Sequence, residues 1–368
     1  MKKSLTVLHS DEELELYFTL YPFILNHDKY DIHFRYFDVS KINQYHGNVV
    51  IFTRIFKNKF SDLNFIYKTI DKLRRSFNYI YFLDDNAGAD STHFEFIDKL
   101  DGYFKAKLPV DFSIFENKIY GRQIFSDYYH QQFNVIDKDK ENYREPASNL
   151  NQINKLKLAF NLGYGLYPSP KSGSIMRKIG YGLCYNGKIH LLKSYYRLRH
   201  LKLINELSKQ ANYKNKSLYI SARFRYQSYP KSIGYQRFLL EEKIQQNKRF
   251  LTGLVPSEKY MRELKTVFAT LSPFGYGEVC LRDFEAIING SLLIKPDMSH
   301  MKTTPNIYIP NETYIPIKWD GSDLLDKADD ILSNPEDYQK IIDNSRTVYR
   351  KSLLDMDEKF AGVFGPLF

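Results

Sequence analysis

Short β-type runs alternate with helix-type runs along nearly the whole of this chain, and that alternation constrains its fold more than any other feature. Strands separated by helical segments are joined by crossovers, so they build mainly parallel sheets with helices packed on the faces. In the first half, 5–8, 32–37, 49–53 and 79–83 read as strands. Between the last two, Leu63, Ile66, Ile70 and Leu73 recur at the spacing of an amphipathic helix over 62–77. A shorter helix is expected over 93–100, a strand over 159–163, and a Gly/Pro-rich loop over 165–173. Gly163-Tyr164-Gly165 lacks the Lys-Ser/Thr of a phosphate-binding P-loop and reads as a turn. The polar stretch 137–149 reads as a surface excursion.

Apolar periodicity lapses over 208–216 and then restarts. Strands are expected over 217–224, 249–254, 267–271, 291–295 and 314–317, with helices over 235–246, 257–265, 279–289, 323–332 and 335–351. Pro335 followed by Glu336 and Asp337 is a start signal for the last helix. The 368 residues are enough for two domains of ordinary size. We expect an N-terminal domain over 1–207, a second over 208–350, and a segment over 351–368 that returns to the first.

Composition removes several classes. No apolar run approaches the ~20 residues of a membrane-spanning helix. Only 5–8 are apolar before Asp11-Glu12-Glu13, so the start resembles a first strand rather than a signal peptide, and a cytoplasmic location is expected. Cys184 and Cys280 stand alone, which argues against a disulfide framework and a structural zinc site. The 53 basic and 43 acidic residues give a net charge of +10, a balance that attracts phosphorylated substrates, anionic membrane surfaces or nucleic acid. The basic residues are dispersed; 72–75 and 197–202 are the densest clusters, and neither is a basic arm of the nucleic-acid-binding kind.

The chemistry concentrates in Leu271-Ser-Pro-Phe-Gly-Tyr-Gly-Glu278 and the residues after it up to Asp297. The stretch reads as a strand, a Gly-bearing turn and a helix, then the strand 291–295. Gly275 and Gly277 let backbone approach a ligand with no Cβ between, and the helix start beyond them offers free N–H groups to an anion. Glu278, Arg282 and Glu285 fall at spacings of four and three and share one helix face. A carboxylate there suits the vicinal hydroxyls of a ribose, because it accepts two hydrogen bonds.

This string resembles the donor-binding segment of GT-B glycosyltransferases. Glu285-Ala286, Gly290 and Leu292-Leu293-Ile294 match the family's order of Glu-Ala, Gly and hydrophobic strand. Ser272 to Glu278, Arg282 to Glu285 and Leu293 to His300 resemble enzymes of lipopolysaccharide, O-antigen or capsule assembly more closely. The resemblance, which covers about 80 residues from Phe268 to Tyr349, implies an α/β fold of two Rossmann-like domains facing a cleft. It further implies a nucleotide sugar as donor, with Glu285 on the ribose and Gly275, Tyr276, Gly277 and Glu278 beside the donor phosphates or sugar. Many retaining relatives carry two glutamates eight positions apart, whereas Glu278 lies seven before Glu285, so the stereochemical outcome stays open.

Secondary candidates come from the same layout. Arg223 or Arg225, at the end of the strand over 217–224, or Lys231 beyond it, would neutralise the leaving nucleotide. His300 comes after the strand over 291–295 and would touch base, sugar or acceptor. Asp84 and Asp85 end a first-half strand and are the candidates for the base that takes the acceptor's proton, with His9 behind them. Neither a metal nor another cofactor is expected. The acceptor would be a bacterial surface glycan or its lipid-linked form, with the enzyme held on an anionic membrane surface. A GT-B-like epimerase, a non-catalytic scaffold and a basic nucleic-acid-binding protein are the rival readings; no RNA-binding signature supports the last.

Overall fold

The structure is a computed structural model that describes residues 4–138, 143–165, 173–211 and 213–368; for 173–177 and 214 only the backbone is described. Two parallel sheets organise it, as the alternation of the sequence requires. The first contains β1 (Leu5–His9), β2 (Ile32–Tyr36), β3 (Gly47–Phe52), β4 (Phe77–Asp84) and β5 (Gly102–Lys105). Two short two-stranded elements use β6 (Lys107–Pro109), β7 (Ile119–Tyr120) and β8 (Tyr143–Arg144), and β9 (Leu156–Leu158) completes the first sheet in the order β2-β1-β3-β4-β5-β9. The second contains β10 (Ser217–Ser221), β11 (Phe250–Leu251), β12 (Val267–Leu271) and β13 (Leu292–Pro296), then, after β14 (Met301–Thr303), β15 (Ile315–Ile317). Its order is β11-β10-β12-β13-β15.

This is the two-lobed α/β arrangement that the resemblance implies. Each sheet begins at an inner strand, steps outward one way and then continues the other way. Each therefore has a topological switch point, between β1 and β3 in the first lobe and between β10 and β12 in the second. Loops leaving the carboxyl ends of such strand pairs diverge to opposite faces and open a crevice. Residues at these two crevices are the ones the fold presents to ligands.

Several local expectations shift. The helix expected over 93–100 is one turn, Phe94–Ile97. The strand expected over 159–163 lies earlier, at β9, because the Asn161 side chain accepts from Gly163 N at 2.7 Å and turns the chain. The stretch over 137–149 is not wholly a surface excursion: β8 pairs with β7 and its Arg144 is buried. The loop expected over 165–173 falls, over 166–172, outside the described residues. Helix Lys193–Ser208 runs up to the lapse in periodicity, β10 begins at Ser217, and the last long helix starts at Gln339 with 335–338 forming turns.

The lobes meet along a broad seam. β14, from the second lobe, pairs antiparallel with β6 of the first, and Val110 N donates to His300 O at 2.8 Å beside that pair. Tyr129 OH donates to Trp319 O at 2.6 Å, and Gln123 Nε2 donates to Tyr276 O at 2.5 Å. Helix Met356–Phe364 packs on the first lobe, with Phe364 against Phe23 and Phe104 at ring separations of 4.7 and 4.9 Å. Among the described residues no helix is long and apolar enough to cross a membrane.

Candidate functional site

The second-lobe crevice is built by three segments: the loop after β10, the turn after β12, and helix Leu281–Ile288. Asp283 locks the last two together. Its buried carboxylate accepts from Ser272 Oγ at 2.5 Å, Tyr308 OH at 2.7 Å and the helix-capping Cys280 N at 2.9 Å, and it pairs with buried Lys295 at 3.1 Å. A buried ion pair is worth having only when further hydrogen bonds complete it, and here they do. The turn and the helix start are thereby held rigid before any ligand arrives.

Within the turn, Gly275 N donates to Gly277 O at 2.8 Å. Neither glycine adopts a positive φ, so tight approach, not backbone handedness, selects them. A Cβ on Gly275 would lie 3.2 Å from Arg237 Nη2, and one on Gly277 would lie 1.8 Å from Ala87 O in the first lobe. Tyr276, between them, is exposed and sets its ring 4.7 Å from Tyr229.

Deeper in the crevice, Glu285 Oε2 accepts from Tyr260 OH at 3.0 Å, and burial raises the Glu285 pKa above its ordinary value. Arg282 Nη2 donates to Arg223 O at 2.8 Å, while its Nε has no partner. Glu285, Arg282 and Tyr260 thus cluster beside the switch point. Arg223 does not point its charge outward, because Glu263 takes the guanidinium through Nε and through Nη2 at 2.6 Å. Arg225 and Lys231 are exposed on the loop and at the first turn of helix Lys231–Ile244.

Glu278 and His300 come together at the seam. Glu278 is fully buried and neither carboxylate oxygen has a hydrogen-bond partner. His300 Nε2 stands 3.8 Å from it, and both ring nitrogens of His300 are likewise unpartnered. Three first-lobe groups face the same place. Burial and Glu278 raise Asp90 to about 7, with Arg144 opposing them. Burial lowers Lys107 to about 8 although Glu278 opposes it. Gln123 Oε1 is a further buried atom without a partner. Native interiors satisfy nearly all buried polar atoms, so a cluster with several unsatisfied ones stands out from the rest of the core.

Asp84 does not stand ready as a base. Its buried carboxylate accepts from Tyr103 OH at 2.7 Å, Lys105 Nζ at 2.9 Å and Asn86 N at 2.8 Å. Burial alone would raise its pKa, but Lys105, His93 and Tyr103 outweigh burial and hold it below the ordinary value. Its work is to fix the loop that leaves β4. Asp85 instead faces the first-lobe crevice, paired with Arg54 Nε at 2.8 Å and bonded by Thr19 Oγ1. His9 ends β1 there, buried, with its pKa lowered by burial to about 4, so it is neutral at pH 7.

Sequence reasoning missed four groups. Glu15, on a π-helical turn beside β1, is buried with its pKa raised by burial to about 8, and Ser10 N and Oγ hold its Oε2 at 2.8 and 2.5 Å. Asp90 and Lys107 look like loop and edge residues in the sequence. Arg237 is buried on helix Lys231–Ile244, donating through Nε to Phe274 O at 2.5 Å and through Nη1 to Arg225 O at 3.1 Å. It has no acidic partner among the described residues. Among the described residues no group of three His, Cys, Asp or Glu side chains is placed to hold a metal ion.

No protein-family model matches the chain, and no curated protein matches it. Among solved structures it is similar to an alpha-glucosyltransferase in complex with UDP-glucose and DNA containing an abasic site, at 8% identity and a TM-score of 0.46, covering 100% of this chain and 99% of that one. It is similar to a glycosyltransferase from Rickettsia africae at 10% identity and a TM-score of 0.46, with the same coverage. A third, the HepE protein of Anabaena in complex with UDP, has 9% identity and a TM-score of 0.44, covering 99% of this chain and 100% of that one.

Proposed function

We propose that this chain is a glycosyltransferase that moves a sugar from a nucleotide-sugar donor to a hydroxyl of a glycan acceptor. The carrying observation is Glu278, a fully buried carboxylate with no hydrogen-bond donor on either oxygen, at the turn before helix Leu281–Ile288. Such a group is costly unless something supplies donors. A pyranose ring is a compact cluster of hydroxyl donors, and Glu278 with His300 would receive it.

The crevice accommodates the rest of the donor. Glu285, with Tyr260, would take the ribose hydroxyls, and Arg282, beside them, has a free Nε to offer the nucleoside. The phosphates lie against the turn at Gly275, where Arg237 and the helix start carry positive charge. Arg225 and Lys231 are exposed for the same task. As the bond to the nucleotide breaks, charge grows on the leaving phosphate, and preplaced cations stabilise that state more than the ground state.

The acceptor's reacting hydroxyl would meet the first lobe at the seam, where Asp90 lies close to Glu278. Loss of its proton needs a base with a pKa near the working pH. Asp90, raised to about 7 and in electrostatic contact with Glu278, fits that requirement better than Asp84. The resemblance supports a bacterial cell-surface glycan as acceptor. The basic surface supports attachment to an anionic membrane, a point that liposome sedimentation independent of anionic lipid would remove.

The test is a thermal-shift screen against UDP, GDP, ADP, CMP and dTDP, repeated with Glu285→Ala. Stabilisation by one nucleotide, lost in the variant, is expected. A protein stabilised by none of them, with and without candidate acceptors, would sink the transferase reading.

A further inference from the structure

Beside the donor turn lies a groove of about 720 Å³ that shares only Lys231 with the proposed phosphate site. It is lined by the loop after β10, the first turns of helix Lys231–Ile244, and Asp137 and Lys138 of the first lobe. That volume lies within the range of pockets that enclose small ligands, about 300–1,000 Å³. We propose that the groove binds an acidic oligosaccharide, which, if the transferase reading holds, is the acceptor strand.

Its walls are half-buried aromatic rings. Tyr226 meets Phe238 edge to face at 5.3 Å, Tyr235 lies 5.7 Å from Phe238, and Tyr229 carries Tyr276 at 4.7 Å. Ring faces of this kind match the C–H faces of pyranoses, and tyrosine hydroxyls add hydrogen bonds at the rim. The floor is tight: a Cβ on Gly234 would lie 3.0 Å from Tyr226 O, so a side chain there would crowd the groove's own backbone.

Charge selects the ligand. Lys138 and Lys231 are exposed, and neither has an acidic partner among the described residues. Among the described residues of the lining the one acid, Asp137, is already committed, accepting from Ser232 N at 2.8 Å and from Ser232 Oγ at 2.6 Å. The described lining therefore carries a net positive charge, and carboxylated or phosphorylated sugars would pair with it. Arg237 joins it to the donor turn: its guanidinium lies 4.6 Å over the Tyr229 ring and grips Phe274 O. A strand lying in the groove ends beside Tyr276 and the reacting centre. The site is a short concave pocket rather than the long basic track that runs along a nucleic-acid backbone, and it presents no projecting apolar face to a bilayer.

The probe is trigalacturonic acid, with maltotriose as the neutral control and a dT hexamer as the rival, measured by ligand-detected NMR on the full chain without donor. Trigalacturonate should bind, maltotriose more weakly. Lys138→Glu should weaken trigalacturonate roughly tenfold or more, the usual loss for a charge-assisted hydrogen bond. Tyr226→Ala should weaken both sugars. Lys138 is exposed, so its variant keeps the test open if Tyr226→Ala fails to fold. No trigalacturonate binding, binding unaltered in both variants, or tighter dT binding with the same sensitivities would each overturn the assignment. Sugar binding in a protein that no nucleotide stabilises would uphold the groove and overturn only the transferase reading.

Discussion

Gly277→Ala tests the closeness of the seam most directly. A Cβ built there lies 1.8 Å from the Ala87 carbonyl oxygen, whereas real Cβ contacts essentially never fall below 3.0 Å, so the loops must part by about 1.2 Å. The obstacle is backbone held by Asp84, whose carboxylate accepts from Asn86 N, so no side-chain rotation relieves it. Overpacking of this kind costs about 1–3 kcal/mol, and a backbone clash belongs at the upper end. With an unfolding entropy of about 2.1 cal/mol/K per residue, each kcal/mol shifts the Tm of a chain this long by about 1.3 °C, which sets the expected fall at about 3–4 °C. Scanning calorimetry measures it against Gly362→Ala, a helical glycine with nothing within 4 Å of its added Cβ. That control should gain about 0.5–1 kcal/mol from helix propensity. A Gly277→Ala protein melting with the wild type, while the control behaves as stated, would show that the turn and the Ala87 loop are apart in solution.

Three further outcomes rest on the buried charges. Glu278→Gln should reduce transfer at least a hundredfold, as a steady-state assay would read, while Tm holds or rises because a buried carboxylate without hydrogen-bond donors becomes a neutral amide; a lower Tm would mean that its attraction to His300 and Lys107 outweighs its burial. Asp90 is raised from 3.8 to about 7, so the native state binds the extra proton and this group's contribution to stability falls as pH rises from about 4 to 7. Asp90→Asn should therefore melt near wild type at pH 4 and increasingly above it towards pH 8; a difference that does not grow with pH would contradict the raised pKa. Lys295→Met strands Asp283 and should cost about 3–5 kcal/mol in denaturant unfolding, while retention of wild-type stability would mean that Ser272, Tyr308 and Cys280 suffice alone.

The second lobe was the more legible in the sequence. Its parallel strands are buried on both faces and read as compact apolar runs, as β12 and β13 show, and the Gly turn between them declares its own backbone. The seam was not legible. β6 and β14 are three residues each, and their pairing joins segments nearly two hundred residues apart, which local periodicity does not carry. Lys105 and Lys107 alternate with Ala106 as in a solvent-facing strand, yet both are buried, one on Asp84 and the other on Asn86 O. Arg237 looks like the polar face of a helix; it is inside because two carbonyls from separate loops need its donors. Asp84 misled for the opposite reason, since a strand-ending acid looks the same whether it serves a substrate or a buried lysine.

The packing of helix Met356–Phe364 onto Phe23 and Phe104 bears on the order in which the molecule assembles during synthesis. Every strand of the second sheet lies between residues 217 and 317, so that sheet is complete once those residues have emerged. The first lobe, although translated earlier, must wait with part of its apolar core open until residues 356–364 emerge. The second lobe waits as well, because Leu324, Ile331 and Ile342 belong to its core, so both lobes close only as the last helices emerge. A chain cut short before residue 356 would leave Phe23 and Phe104 without the ring that covers them.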